Sequence, residues 1–287
     1  MKNTRLFLLT LLLFCRAGYG GQALIVLSSE LEPYEEAAEG IKAAWGEPVT
    51  TVMADDYRPA LAKSATKIFA IGAKAASLEF PDDRELIYCL APGYKVETER
   101  QARTVKVHMA ASLTRMIPTF KKIQPEMKRL GVLWMASGSA PNEAEIKAIQ
   151  DDMNVTIVAP RLPHVDSFPA HLREIKDKVD ALWLTPDAQI INRVNFAIVR
   201  EFCNQNNIPL YVPSTQLVEQ GASVALSVPF NQSGRTAANI ARQASTSKGQ
   251  EHVFPESFIT VISRKALKHF QGQLNQDSVS VANRMVE

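Results

Sequence analysis

ALWLTPDAQIINRVNFAIV, residues 181–199, opens on four apolar residues, Ala181 to Leu184, and then stops at Thr185-Pro186-Asp187. A second apolar pattern follows at helical spacing. The segment therefore reads as a buried strand handing over to a helix across 188–205. A short run that is apolar throughout marks a strand covered on both faces, as in a parallel sheet. Asp187 stands at the hand-over, where a carboxylate fits two roles. It can cap the helix that follows, or it can hold the ammonium of a ligand, and it has lone pairs enough for both.

The same alternation extends in both directions. Upstream, ALIVLSS (23–29) precedes PYEEAAEGIKAAW (33–45), VTTVMA precedes Asp55 and Asp56, and KIFAIG (67–72) leads into AKAASLEF. ELIYCLA (85–91) and RTVKVHMA (103–110) add two strands, and SLTRMIPTFKKI (112–123) reads as a helix that accommodates Pro118. The pattern then restarts with RLGVLWMAS (129–137), VTIVAP, DALWLT and IPLYVPS (208–214). It closes with ASVALSV (222–228), the helix SGRTAANIARQAS (233–245) and the strand SFITVI (257–262). Short apolar runs alternating with helices indicate βαβ units, so the fold class is α/β. Two successive sets of units predict two Rossmann-like, doubly wound lobes with parallel sheets. Ligands of such sheets sit beyond the carboxyl ends of the strands, so two facing lobes make a cleft that a hinge closes. The last residues lose periodicity, and 273–287 are expected to be a loosely held tail.

The N-terminus differs in kind. MKNTRLFLLTLLLFCRAGYG carries Lys2 and Arg5, an apolar stretch from Leu6 to Cys15, and then small residues, the layout of a secretory signal peptide cleaved after residue 20. A membrane anchor fits less well, because ten residues span only about 15 Å of a roughly 30 Å hydrocarbon core. A lipid anchor on Cys15 is the other alternative, although its peptidase prefers a small residue where this chain has Phe14. The formal charge of +2 belongs to this leader: without Lys2, Arg5 and Arg16, 29 basic residues face 30 acidic ones. No basic field remains to recommend nucleic acid. The expected location is the periplasm.

The strand ends carry the polar residues: Ser28-Ser29-Glu30, Gly72-Ala73-Lys74, Ser137, Asp187 and Ser214-Thr215. Each is a fair helix cap by itself. Several such ends facing one cleft form a ligand site, with Gly72 and Ala73 offering backbone N–H groups to an anion. Among aromatic residues, Tyr34 at the start of the first helix is the best placed to stack on a flat ligand. Trp134 and Trp183 fall inside strands and read as core.

Residues 179–241, together with KIFAIGAKAA (67–76) and RLGVLWMAS, resemble periplasmic substrate-binding proteins of ABC transporters, of the tryptophan/tyrosine-binding type. The similarity runs in order over roughly residues 23–270. It implies a type I periplasmic-binding-protein fold with three crossovers, a ligand carboxylate received by Gly72 and Ala73, and a ligand amine facing Asp187. It also implies lobes of residues 21–126 plus 227–250 and 127–226 plus 251–272. The chain departs from its relatives at Ala73-Lys74, where many carry Thr-Pro, and at LAPGY (90–94), where Asn-Pro is frequent. A cation in place of a hydroxyl opens the site to a more anionic ligand.

Enzyme readings find little support. The first strand is followed by VLSSELEPYEE, whose acids would repel a pyrophosphate, and not by the glycine fingerprint of a dinucleotide site. His108, His164, His171, His252 and His269 lack metal spacing, and no nucleophile elbow is present. Cys89 and Cys203 fall on apolar segments and read as buried free thiols. The expectation is a non-enzymatic, monomeric solute-binding protein without cofactor or metal, delivering an amino acid or related small carboxylate to an ABC permease. The same fold also suits a ligand sensor docking on a membrane receptor or kinase.

Overall fold

The computed structural model describes residues 22–96, 102–135, 143–243 and 249–287. The leader and Ser137 lie outside the described residues. The chain runs β1 (Ala23–Leu27), α1 (Glu32–Trp45), β2 (Val49–Met53), α2 (Pro59–Ala62), β3 (Lys67–Ile71), α3 (Ala73–Ala76), β4 (Glu85–Cys89) and β5 (Thr104–Val107). It continues through α4 (Leu113–Ile123), β6 (Arg129–Met135), α5 (Glu143–Met153), β7 (Thr156–Val158), β8 (Arg161–Leu162), α6 (Phe168–Ile175), β9 (Ala181–Leu184) and α7 (Arg193–Gln205). Then follow β10 (Leu210–Val212), α8 (Thr215–Glu219), β11 (Val224–Ser227), α9 (Phe230–Arg242), β12 (Gln250–Val253), β13 (Ile259–Ser263), α10 (Arg264–His269) and β14 (Arg284–Val286).

Two sheets result. The first has the order β12-β5-β4-β3-β1-β2, parallel throughout, and the second β14-β13-β11-β10-β9-β6-β7, with β8 beside β6. Among the described strands, β13 and its parallel neighbour β14 run against the others, β13 pairing antiparallel with β11. The apolar runs account for this: β1 is ALIVL and buried at all five positions, and β9 is ALWL and buried at all four. Helices cover both faces of each sheet, giving two core clusters per lobe. Within the described residues the chain passes between lobes three times, at residues 108–112, 228–229 and 254–258.

Several expectations are corrected. Helix α7 begins at Arg193, five residues later than the apolar pattern suggested, because Asn192 accepts hydrogen bonds from the N–H groups of Val194 and Asn195 at 3.1 and 2.9 Å. Helix α9 begins at Phe230, where Pro229 sets the entry, and not at Ser233. Helix α4, expected in the first lobe, packs on the second sheet: Leu113, Met116, Ile117, Phe120 and Ile123 join Leu130, Val132, Trp183 and Tyr211. Each such burial contributes about 1.5–3 kcal/mol.

Strand β12 is QEHV, too polar to stand out in the sequence, yet it pairs with β5 and carries the first sheet past residue 250. Its anchor is Arg103. The guanidinium is buried and bonds Glu251 at 2.8 Å, Glu85 at 3.2 Å and the Ile240 carbonyl at 3.3 Å, and Lys67 completes the network on Glu85. The residues after 272 are not loosely held. Leu274 is core, Val281, Ala282 and Met285 pack against it, and β14 pairs with β13.

Helices α1 and α9 cross at backbone contact. A Cβ on Gly40 would overlap the Asn231 carbonyl oxygen, and one on Gly234 would overlap that of Ala37. This crossing fastens α9, which enters from the second lobe, to the first.

Candidate functional site

The loop between β9 and α7 places Asp187 where the lobes meet. Thr185 Oγ1 donates to the Leu133 carbonyl at 2.8 Å, tying the end of β9 to β6. The Asp187 carbonyl then accepts from Ile190 and Ile191 at 3.1 and 2.7 Å, and its Oδ1 accepts from the Gln189 N–H at 2.8 Å. Asp187 thus caps this short turn and not α7, a correction to the capping role first expected of it. The residue is 7% exposed and lines a cavity of about 130 Å³ between the lobes.

The opposite wall comes from the first lobe. Pro92 and Gly93 follow β4, and Lys106 and His108 extend from β5. Aromatic and sulfur side chains, Tyr88, Trp134, Trp183, Met109 and Met116, join small aliphatic residues in the rest of the lining. Trp134, expected in the core, is half-buried and faces this cavity; its Nε1 donates to the Ala159 carbonyl at 3.3 Å, and Arg161 lies 5.9 Å from its ring. Trp183 is both core and cavity wall.

Lys106 was not foreseen. Its Nζ donates to the Tyr94 carbonyl at 2.7 Å. Desolvation lowers its pKa, Asp187 across the cavity opposes that shift, and Lys95 adds to it. The signal was present as a lysine inside an otherwise apolar strand, TVKV, where Val105 and Val107 are core. His108 stacks on Phe254 at 4.1 Å and shares a 2.9 Å hydrogen bond with His252. Burial, His252 and Lys106 push its pKa down to about 3, so the ring is neutral near neutral pH.

A larger groove of about 460 Å³ lies beside the cavity and shares Pro92, Met109 and Pro186 with it. Ser214 and Thr215 line this groove, together with Glu36, Ser227 and Ser233. The remaining sequence candidates gather elsewhere. Ser28 Oγ accepts from the Ala75 N–H at 2.9 Å, and the space beside Gly72 is filled by Ser28 and by the Tyr34 ring. Ser29 and Ala73 are half-buried and Glu30 is exposed. Lys74 pairs with Asp55 at 2.6 Å on the surface. This Ser28–Lys74 group lines neither the cavity nor the groove.

Both described cysteines are free and buried, as read, and burial pushes the Cys89 thiol up to about 12. Among the described residues no three or more His, Cys, Asp or Glu side chains gather as a metal site. Nor, among those residues, is any helix long and apolar enough to cross a membrane.

The family model of ABC transporter substrate binding proteins matches residues 104–286. Among solved structures, an ABC domain in complex with L-Trp from Streptococcus pneumonia is similar over 93% of this chain and 100% of that one, at 14% identity and a TM-score of 0.58. A conserved domain protein from Vibrio cholerae O1 biovar El Tor is similar over 93% and 99%, at 15% identity and 0.58. The ligand-free, open structure of a substrate binding protein with adhesive properties from Clostridium difficile is similar over the same shares, at 14% and 0.60. At these identities the likeness bears on the fold. No curated protein matches the chain.

Proposed function

The chain belongs to the ABC transporter substrate-binding protein family, and from that premise we propose that it captures an amino acid with a flat apolar side group between its lobes and hands it to a membrane permease. The observation that carries this reading is the cavity itself, in which a buried carboxylate, Asp187, stands across from first-lobe residues in an apolar lining that includes Tyr88, Trp134, Trp183 and Phe254. A carboxylate so placed suits a ligand ammonium, and the rings suit a planar side group. One structure of the same fold holds L-Trp, which agrees with that choice of ligand. The groove lined by Ser214 and Thr215 is read as the route by which solute enters.

No chemistry is performed on the solute. Affinity comes from water expelled by closure and from a few fixed polar groups, and the closed state is favoured by as much as the ligand prefers it. The leader sequence and the family both favour a location outside the cytoplasm.

Thermal denaturation with a panel of the twenty amino acids and simple carboxylates tests the proposal. Saturating ligand raises the midpoint by mass action, and L-tryptophan is expected among the largest shifts. A panel without any shift would overturn it.

A further inference from the structure

Lys106 and Asp187 supply opposite charges to opposite walls of one cavity. In β5, Val105 and Val107 face the core beneath α1 and α9, so the alternation of the strand turns Lys106 to the other face. There a lysine would ordinarily be expensive. Its ammonium carries three N–H donors, one of which is spent on the Tyr94 carbonyl.

Asp187 has Oδ1 engaged by the Gln189 N–H, and on its first-lobe side the carboxylate meets Gly93, where even a Cβ would come no nearer than 3.8 Å. The other carboxylate on the lining, Glu145, accepts from both the N–H and the hydroxyl of Thr114. His108, beside Lys106, is neutral near neutral pH and offers no competing cation.

We propose that Lys106 receives the anionic group of the solute, so that Lys106 and Asp187 together select ligands bearing a carboxylate and an ammonium at once. This goes beyond the functional reading above but rests on it. The sequence resemblance pointed instead to Gly72 and Ala73 for the carboxylate, yet those residues lie outside the cavity lining. A zwitterion laid between the walls gives each half-desolvated charge a partner, and it can do so only while both lobes touch it. The pair thereby couples recognition to closure. A solute carrying one charge leaves the opposite wall unpaired, which costs more than the missing contact alone.

Titration calorimetry with three probes tests this: L-tryptophan, tryptamine, which lacks the carboxylate, and indole-3-propionate, which lacks the ammonium. The wild-type chain should bind L-tryptophan at least tenfold more tightly than either single-charge probe. Lys106→Met should weaken L-tryptophan at least tenfold while tryptamine binds as tightly as before or more tightly, and Lys106→Arg should recover part of the loss. If Lys106→Met binds L-tryptophan as the wild type does, this inference falls and the functional reading stands. Equal weakening of L-tryptophan and tryptamine would assign Lys106 a purely structural role and also overturn it. Wild-type protein that binds neither L-tryptophan nor any other amino acid of the thermal panel overturns the functional reading, and this inference with it; where another amino acid binds instead, it and its amine and acid analogues replace the three probes.

Discussion

Gly93 of the first lobe faces Asp187 of the second across the cavity: a Cβ on Gly93 would stand 3.8 Å from Oδ2 and 3.9 Å from Oδ1. The carboxylate does two things at once, holding its own turn through Gln189 and presenting charge to the opposing lobe. Asp187→Asn separates these, since an amide oxygen still accepts from Gln189. The variant should unfold at nearly the wild-type urea concentration but bind L-tryptophan at least tenfold more weakly, about 1.4 kcal/mol. Equal affinity would leave Asp187 with its turn alone.

The crossing of α1 on α9 predicts a steep response to one methyl group. Gly234→Ala drives a Cβ into the Ala37 carbonyl, and Gly40→Ala drives one into that of Asn231, so neighbouring backbone must move. Overpacking of this kind costs about 1–3 kcal/mol or more. Urea denaturation should show each variant destabilised by at least the lower figure, and exposed Ala substitutions on the same helices much less.

Arg103 holds three partners from different elements, so Arg103→Met should loosen β12 from β5. Removing one member of a buried ionic network costs about 3–5 kcal/mol. The lower figure is expected here, because Glu85 keeps Lys67 and Glu251 is 40% exposed. Hydrogen exchange should localise the loss to residues 250–253.

His108 gives a pH dependence of defined sign. Its folded pKa of about 3 lies below the ordinary 6.5, so the folded state prefers the neutral ring. The unfolded chain takes up the proton first. The stability this group supplies is therefore complete above pH 6.5 and is lost as pH falls towards 3. His252, whose pKa is also lowered, and Lys106 face the same group and resist added charge. His108→Phe, which keeps the stack on Phe254, should flatten the slope of stability between pH 6 and 4 by up to about one proton. An unchanged slope would show that His108 is not the group responsible.

The architecture was legible because its strands are extreme. ALIVL and ALWL admit nothing but full burial, and their alternation with helices dictates parallel sheets. Polar edge elements were not legible: QEHV becomes a strand only because β5 offers it an unpaired edge and Arg103 an ion pair. The last fifteen residues are held by contacts with β13 and the second core, which no local pattern announces. At the site, Asp187 could be read because it interrupts an apolar run. Lys106 does the same within TVKV but was passed over, since it sits inside a strand and not at its end. Trp134 was assigned to the core for the same reason. Which strand positions face a cavity is decided by how two lobes oppose each other, a relation between distant segments of the chain.

Small-angle X-ray scattering with and without saturating L-tryptophan tests the central claim most directly. The account predicts that the radius of gyration falls on binding, as the lobes close around a ligand shared by Lys106 and Asp187. Saturation with L-tryptophan and no contraction of the particle would contradict it.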